Sequence, residues 1–410
     1  MLYRFDEYAL DTERRELRLG SNLVPVAPQV FDLIEHLIDH RDHVVSKEDL
    51  LATVWGGRLV SESALTTRIN AARHAIGDDG ELQRLIRTIP RKGFRFVGDV
   101  QEVGPANEPS ALGISPTSSD WAGKNITALR QDIRYSCASD GVRLAFAKVG
   151  NGPRLLKAAN YLNHLEYDWE SPVTRHLLHG LAGHFTLLRY DARGNGLSDR
   201  EVPSVTFEDW VTDLEAVADA AGWDRFPLLG MSQGCAVSIA YAVRHPERVS
   251  HLVLYGSFAR GRAVRATNAD ELEKLQAMKT LIRIGWGEDN PAFRQLFTSL
   301  FVPGGSNEQL HWFNELQRVS ASPECATRYF DVTNNIDIRE LLPQVRVPTL
   351  VMHLRDDAVH RFEFGREVAA AIPGARFVPL QGRNHMPLAS DPAAPLMLEE
   401  IERFLNASSD

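Results

Sequence analysis

One serine in this chain has the setting of a covalent nucleophile. Ser232 stands in the sequence GMSQG, which follows the apolar run RFPLL and opens the helical segment QGCAVSIAYAVRH. This pattern predicts a strand, a sharp turn and a helix. The flanking glycines permit such a turn, which lifts a serine hydroxyl above the edge of a sheet. The spacing therefore predicts a nucleophilic serine at the start of a helix.

The residues that would activate this serine follow in the expected order. A serine hydroxyl is a poor nucleophile until a histidine takes its proton and a carboxylate orients that histidine. The predicted strand VPTLVMHL ends before Asp356 and Asp357, and the next predicted strand, ARFVPL, leads to His385. We therefore predict a triad of Ser232, Asp357 and His385, with Asp356 as the alternative acid. Either aspartate could instead cap the helix predicted over RFEFGREVAAAI.

The elements around these residues predict an α/β fold. Apolar strand candidates alternate with helical segments, and this alternation predicts a mostly parallel sheet with helices on both faces. The long helix-like span 258–342 interrupts it and is interpreted as a helical cap. Its aromatic residues could line an apolar cavity or form plain core. The strand candidates are 142–149, 154–160, 184–190, 226–230, 250–256, 347–353 and 375–380.

The first hundred residues have a different organisation. Short alternating segments predict small strands, and three helical segments and a hairpin follow. A stretch rich in Pro, Ser, Gly and Ala then shows no periodicity and predicts a flexible linker over 101–130. We therefore divide the chain into an α+β domain (1–100), the linker and an α/β domain (131–410). The predicted N-terminal helices span 28–40, 46–54 and 61–76.

The third of these helices has features of a DNA reader. Its apolar residues Leu65, Ile69, Ala72 and Ile76 recur at helical spacing, which leaves polar and cationic residues on other faces. Between Ser61 and Gly98 seven Lys or Arg oppose four Asp or Glu, a local balance of +3. Such a face also suits a merely solvated helix.

The motifs of this region carry a specific resemblance. VVSKEDLLATVW, VSESALTTRINAARHAIGDDG and IRTIPRKGFRFVGDV closely resemble the winged-helix output domain of OmpR/PhoB-type and CadC/ToxR-type transcription regulators, over residues 1–100. The resemblance implies double-stranded DNA as a partner. We find neither a receiver domain nor a membrane span, so neither phosphorylation nor a periplasmic signal is the expected input. The resemblance places Ser63, Thr67, Arg68, Asn70 and Arg73 in the major groove, and Arg91 and Lys92 on the wing near the backbone or minor groove.

The second half resembles α/β-hydrolase-fold proteins over about residues 131–407. The triad motifs carry this resemblance, together with DARGNGLS at 191–198 and HPERVSHLVLYG. It places the acid at Asp357 and gives Arg193 a structural role in the loop beneath the site. Most relatives carry His-Gly after the third strand, where this chain reads KAANYLNH. We expect the oxyanion hole to use the amide of Gln233 with one from the segment Asn160 to Leu162, with Tyr161 and Leu162 as the named candidates. His164, Glu166 and Asp168 are expected to be available for ligand contacts.

Composition limits the remaining possibilities. Hydrophobic residues make up 44% and charged residues 24%, as in ordinary globular proteins, and the net charge of −9 restricts DNA binding to a local surface. The three cysteines are far apart, which fits a reducing compartment. No signal peptide or apolar span is recognisable, so we expect a cytoplasmic protein without a membrane partner. No ligand spacing for a metal is present, and no cofactor is expected.

Two functional hypotheses follow. In the first, the chain is a DNA-binding transcriptional regulator whose hydrolase domain binds a small-molecule effector, either with or without hydrolysing it. A homodimer is expected, because one winged helix buries little DNA surface, and RNA polymerase is a further candidate partner. In the second, the chain is an active serine hydrolase (esterase, lactonase or C–C hydrolase) with an accessory DNA-binding domain. The altered oxyanion segment favours the first hypothesis, and an intact triad favours the second.

Overall fold

The computed structural model describes residues 2–406 except 13–14, 21, 25, 27, 55–61, 81, 91 and 104–128. The chain divides into two compact units, Met1–Ser118 and Ser119–Asp410. Buried apolar side chains form a separate core within each unit. None of the described helices combines the length and the apolar character needed to span a bilayer.

The first unit is a winged-helix fold, as predicted. An antiparallel sheet of order β4-β3-β2-β1-β7 precedes and flanks three helices, and β5 and β6 form a separate hairpin. The elements are β1 (Leu2–Phe5), β2 (Tyr8–Asp11), β3 (Glu16–Leu19), β4 (Asn22–Val24), α1 (Pro28–Asp39), α2 (Lys47–Val54), α3 (Glu62–Ala75), β5 (Ile86–Ile89), β6 (Gly93–Phe96) and β7 (Gln101–Val103).

Apolar spacing positions the helices of this unit. Leu65, Ile69, Ala72 and Ile76 are all buried, and α3 packs against α1 through this face. At the start of α2, the Ser46 hydroxyl accepts a hydrogen bond from the amide of Asp49 at 3.0 Å, as an N-cap residue does. The described polar residues of α3 therefore lie outside the core or at its margin, with one exception given below.

The start of the predicted linker differs from the structure. Residues 101–103 form β7, which pairs antiparallel with β1 in the register Leu2 with Val103. These three residues therefore belong to the first sheet. Most of the remaining predicted linker, 104–128, lies outside the described residues.

The second unit is built on an eight-stranded, mostly parallel sheet. Its order is β15-β14-β13-β12-β10-β11-β9-β8, with β8 and β9 antiparallel at one edge. The strands are β8 (Asp132–Cys137), β9 (Arg143–Val149), β10 (Arg154–Lys157), β11 (Thr186–Tyr190), β12 (Phe226–Met231), β13 (Val249–Tyr255), β14 (Thr349–Leu354) and β15 (Arg376–Leu380).

Helices cover this sheet and extend beyond it. Between β13 and β14, where the sequence predicts a cap, the chain forms four consecutive helices, α8 to α11. The connections of an open parallel sheet place ligand sites at the carboxyl ends of its strands. The helices are α4 (Leu165–Glu170), α5 (Arg175–His184), α6 (Phe207–Ala220), α7 (Gln233–Arg244), α8 (Ala269–Gly285), α9 (Ala292–Phe301), α10 (Asn307–Ser320), α11 (Pro323–Asn334), α12 (Phe362–Ala371) and α13 (Ala393–Asn406).

Candidate catalytic site and DNA-contacting surface

Ser232 occupies a strained turn between β12 and α7. Its φ of 52° and ψ of −125° are unfavourable for a residue with a side chain, and such strain is typical of functional turns. A Cβ at Gly230 would lie 2.7 Å from Cα of Cys235, and one at Gly234 would lie 2.7 Å from the carbonyl oxygen of Ala159. Both flanking positions therefore require glycine, because backbone from the helix and from the neighbouring loop approaches them too closely for any side chain.

Asp357 and His385 form a buried pair at the ends of β14 and β15. Nδ1 of His385 lies 2.7 Å from Oδ2 of Asp357, whose other oxygen accepts the amides of Val359 and His360 at 2.8 and 3.0 Å. Burial alone would raise the pKa of Asp357, but the charge and hydrogen bond of His385 hold it below its ordinary value. An ionised carboxylate only accepts, so the imidazole proton lies on Nδ1 and Nε2 is free to accept a proton.

A second histidine, missed by the sequence analysis, lies beside the nucleophile. Nε2 of His360 is 3.5 Å from Oγ of Ser232, whereas no hydrogen bond joins the side chains of Ser232 and His385, both of which the structure describes. The His360 ring packs against Phe258 with centroids 4.5 Å apart, and edge-on against His385 at 5.2 Å. Burial, followed by the nearby His385, lowers the pKa of His360 well below its ordinary value. The serine hydroxyl thus lies beside His360 and shares a cavity with His385, and of these two imidazoles only that of His385 is oriented by a carboxylate.

The position of His360 explains why it was overlooked. It lies three residues after Asp357, in the loop that leads into α12, where the sequence suggested only helix capping. The sequence feature that could have identified His360 is a titratable residue shortly after the carboxyl end of the predicted strand VPTLVMHL. Its contact with Ser232 joins residues 128 positions apart and depends on the tertiary fold.

The three predicted oxyanion residues lie on segments adjacent to Ser232. Gln233 is the first residue of α7, so its amide has no acceptor within the helix. Tyr161 and Leu162 follow β10, and Leu162 has a left-handed φ of 58°. Both line a cavity that Ser232 also lines. The structure brings these residues together, and their role as oxyanion donors stays a prediction.

Two cavities open beside Ser232 and have different linings. The first contains about 570 Å³ of empty space, counting its opening to solvent, and the aromatic rings of Phe258, Phe297 and Phe301 line it. The second has charged walls, formed by Lys157, Asp168 and Arg189, and also reaches His385. Burial lowers the pKa of Lys157 to about 8. Both cavities therefore combine apolar with charged side chains, since two arginines also line the first.

Some aromatic residues of the cap and some polar residues after β10 line a cavity, whereas others are buried in the core or cap a helix. Phe297 and Phe301 line the first cavity, Trp286 is buried in the core, and Phe293 remains 39% exposed. Asp168 lines the second cavity, as expected for a ligand contact. His164 instead caps α4, because its Nδ1 accepts the amide of Tyr167 at 3.3 Å.

A strained serine, a carboxylate-oriented histidine and an eight-stranded parallel sheet are the features expected of one family. The model of the α/β hydrolase fold family matches residues 161–392, which is more than half of the chain. The chain belongs to the α/β hydrolase fold family.

Relatives cover the hydrolase part of the chain almost completely. The AB hydrolase superfamily protein YisY of Bacillus subtilis is 27% identical over 255 residues, which is 61% of this chain and 91% of that protein. The pyrrolizixenacetamide deacetylase of Xenorhabdus hominickii is 26% identical over 243 residues, 58% of this chain and 86% of that enzyme. A hydrolase from Pseudomonas aeruginosa has the same fold, with a TM-score of 0.56 and 23% identity over 67% of this chain and 98% of its own.

The first unit matches a second family. The model described as the C-terminal part of transcriptional regulatory proteins matches residues 21–96. The transcriptional regulator HilA of Salmonella typhimurium is 34% identical over 101 residues, which is 25% of this chain and 18% of that protein. This chain therefore joins the DNA-binding domain of a transcription regulator to an α/β hydrolase.

The predicted DNA-contacting residues of this regulator–hydrolase differ in exposure. Asn70 on α3 and Lys92 on the hairpin turn are exposed, and Thr67 and Arg68 are partly buried. Nε of Arg68 donates to Oε1 of Gln29 at 3.1 Å, which ties it to the start of α1. Asn70 and Lys92 are therefore the predicted contacts most accessible to DNA. Arg91 and the side chain of Ser63 lie outside the described residues.

The prediction that Arg73 faces the DNA groove is wrong. Arg73 is only 4% exposed, and its guanidinium donates to the carbonyl of Ile86 at 2.9 and 3.0 Å and to the Thr88 hydroxyl at 2.8 Å. Arg73 lies four residues after Ile69 and three before Ile76, so it shares their buried face of α3. It therefore holds β5 of the hairpin against α3.

These positions predict different effects of substitution. We expect Lys92→Ala to weaken binding to a fragment upstream of the protein's own gene and to reduce the slope of log affinity against log salt by about 1. We expect Asn70→Ala to alter sequence preference with little change in that slope, because an uncharged amide releases no counterion. Gel shifts across a salt series measure both effects.

Arg73→Ala serves as the contrast: it should lower the melting temperature of the first unit, and unchanged melting would contradict its structural role.

Arg193 acts as framework beneath the hydrolase site. The buried guanidinium bonds both carboxylate oxygens of Asp213, at 2.6 and 2.8 Å, and reaches Asp140 at 2.7 Å. It thereby ties the loop after β11 to α6 and to the turn between β8 and β9. We infer a structural role for Arg193.

Substitution of Arg193 should destabilise the fold. We expect Arg193→Ala to lower the free energy of unfolding of the hydrolase unit by about 3–5 kcal/mol, because it leaves Asp213 buried and unpaired. Denaturant titration measures this loss. Arg143→Ala removes an exposed partner of Asp199 and is the matched control, expected to leave the unfolding free energy essentially unchanged. Equal, small effects of the two substitutions would contradict the structural role.

Proposed function

We propose that this chain is a transcriptional regulator that changes its DNA binding when a small molecule occupies the hydrolase cavity. The observation that carries the proposal is the joining, in one chain, of a regulator DNA-binding domain to a hydrolase unit with a cavity beside Ser232. Mostly apolar and aromatic side chains with a few polar groups line this cavity, as is typical of small-molecule sites. We further propose that it binds DNA as a homodimer, that RNA polymerase is its partner at the promoter, and that it acts in the cytoplasm, where bacterial DNA lies.

The test of regulation is a gel shift with the purified full chain. The probe is a fragment from upstream of its own gene, and the candidate ligands are small esters, added at low salt. We expect a retarded band whose midpoint concentration changes at least threefold on addition of an effective ester. Absence of any retarded band with each upstream fragment, with and without ligands, would contradict the regulatory proposal.

A second function is favoured by the His385–Asp357 pair: serine hydrolysis of a small ester or related acyl compound. Asp357 orients His385 to accept the proton of Ser232, the serine oxygen attacks the carbonyl, and the Gln233 amide stabilises the resulting oxyanion. His385 then returns the proton to the leaving group, and water completes the cycle by the same route. The strained backbone of Ser232 supports this role.

Ser232→Ala separates signalling from catalysis. If the variant loses ester turnover but still responds to ligand in the gel shift, ligand binding alone operates the regulator. In the natural protein, DNA binding should return to its ligand-free level as the ester is consumed. If the variant instead keeps its ligand-bound level of DNA binding, hydrolysis ends the signal. Retention of turnover by Ser232→Ala would contradict the proposed nucleophile.

A further inference from the structure

Two arginines line the apolar cavity beside Ser232. Arg262 and Arg265 follow β13 and share this cavity with aromatic side chains, with Tyr161 and with His360, whereas no aspartate or glutamate among the described residues lines it. A cavity with an apolar wall and an excess of positive charge favours an anionic ligand.

Arg262 differs from its neighbours in lacking a carboxylate or carbonyl partner. Within the described chain its hydrogen-bond partner is Sδ of Met278, a weak acceptor, at 3.9 Å. By contrast, Arg260 reaches Glu367 at 3.4 Å, and Arg265 donates to the carbonyl of Arg260 at 2.6 Å. The guanidinium carbon of Arg265 also lies 4.2 Å from the centroid of the Phe364 ring, on which it stacks. The neighbouring guanidinium groups are thus held by the protein, and that of Arg262 is not.

The surroundings of Arg262 oppose its charge. Burial lowers the pKa of this guanidinium and is the largest influence on it. An arginine nevertheless stays protonated in proteins. A partly buried guanidinium without an anion is unfavourable, so a bound carboxylate would supply what the protein leaves out.

The backbone around Arg262 is fixed on both sides. The amide of Gly261 donates to the carbonyl of Ile336 at 2.7 Å, and that of Ala263 donates to the carbonyl of Asn334 at 2.9 Å. A Cβ at Gly261 would lie 2.2 Å from the Asn334 oxygen, so the close approach to the end of α11 requires glycine. The backbone that carries Arg262 is therefore fixed before a ligand arrives, which reduces the entropy cost of binding.

We propose that Arg262 binds a carboxylate of the ligand, and that the ligand is a half-ester of a dicarboxylic acid or a compound of the same chemistry. Its free carboxylate lies at Arg262, its apolar chain lies against Phe258, Phe297 and Phe330, and its ester carbonyl lies at Ser232. This inference rests on the proposed binding of a small molecule in the cavity and names its chemical class.

The test compares esters that differ in one charge. Full-length protein carrying Ser232→Ala, which cannot consume the probe, is titrated by calorimetry with monomethyl and dimethyl esters of succinic, adipic and suberic acids. For at least one chain length we expect the monomethyl ester to bind at least about tenfold more tightly than the dimethyl ester, as for a charged hydrogen bond. Adding Arg262→Gln should remove this preference and change affinity for the dimethyl ester less than about twofold.

The controls separate the inference from the function on which it rests. Arg283→Gln removes an exposed arginine of α8 and should keep the preference for the monoester. If Arg262→Gln melts without cooperativity, Arg262→Met, which can pack beside Met278, replaces it. Equal binding of the two esters, tighter binding of the dimethyl ester, retention of the preference without Arg262, or binding of none of the esters would overturn the inference. Binding of dimethyl esters alone would still support a ligand cavity. A preference for the monoester that leaves DNA binding unchanged would contradict the proposed regulation and leave the carboxylate site supported.

Discussion

Replacing His385 with alanine is expected to lower the turnover of an activated ester such as 4-nitrophenyl butyrate by about 10⁴-fold or more, the loss typical of a missing triad base. The reason is geometric: Asp357 holds Nδ1 of His385 at 2.7 Å, which leaves Nε2 as the oriented proton acceptor. Substrate binding should change far less than kcat, because the imidazole acts in the transition state. Steady-state kinetics of the purified full chain measure the two separately.

His360 provides the matched comparison, because it contacts the serine without a carboxylate behind it. Nδ1 of His360 is buried and has no hydrogen-bond partner among the described residues, so no hydrogen bond from a carboxylate fixes its tautomer. We expect His360→Leu to change kcat less than about tenfold, well below the effect of removing the oriented base. A greater loss from His360→Leu than from His385→Ala, with both variants folded, would assign the base to His360.

Much of this architecture could be predicted from local patterns. The apolar run before Ser232 is β12, and the predicted strand at 375–380 is β15, because buried parallel strands are short and apolar. The predicted strand at 154–160 was too long: β10 ends at Lys157, and the next residues form the loop beside Ser232. Strand β8 was not predicted, because its sequence DIRYSC is polar and pairs only with β9 at the sheet edge.

The site was less accessible to sequence reasoning where its contacts are long-range. The triad residues stand in recognisable local motifs, but the contact of His360 with Ser232 depends on the order of the sheet, in which β13 alone separates β14 from β12. Arg73 was misplaced although its spacing from Ile69 and Ile76 puts it on the buried face. An arginine is tolerated on this buried face because its guanidinium donates to the Ile86 carbonyl.

Asp357→Asn is the second substitution expected to have a large effect, a loss of about 10³- to 10⁴-fold in kcat. An asparagine amide can donate a hydrogen bond, whereas the carboxylate only accepts one. Nδ1 of His385 would then accept from residue 357, and the imidazole proton would lie on Nε2, which faces Ser232. The imidazole would then be in the wrong tautomer to serve as a base. The Asn oxygen can still accept the amides of Val359 and His360, so the loop and the melting temperature should be preserved.

Asp356→Asn is the control, because this neighbouring carboxylate was the alternative acid in the sequence. Asp356 is exposed, and its backbone amide donates to the carbonyl of Gly382 at 3.1 Å, whereas Asp357 is buried against His385. We expect Asp356→Asn to change kcat less than about threefold, as for a surface substitution away from the reacting atoms. Comparable losses in the two variants would mean that net negative charge at this edge of the sheet, rather than the hydrogen bond to Nδ1, supports the histidine. A loss confined to Asp357→Asn, with unchanged melting, would instead tie activity to that hydrogen bond and to the tautomer that it selects.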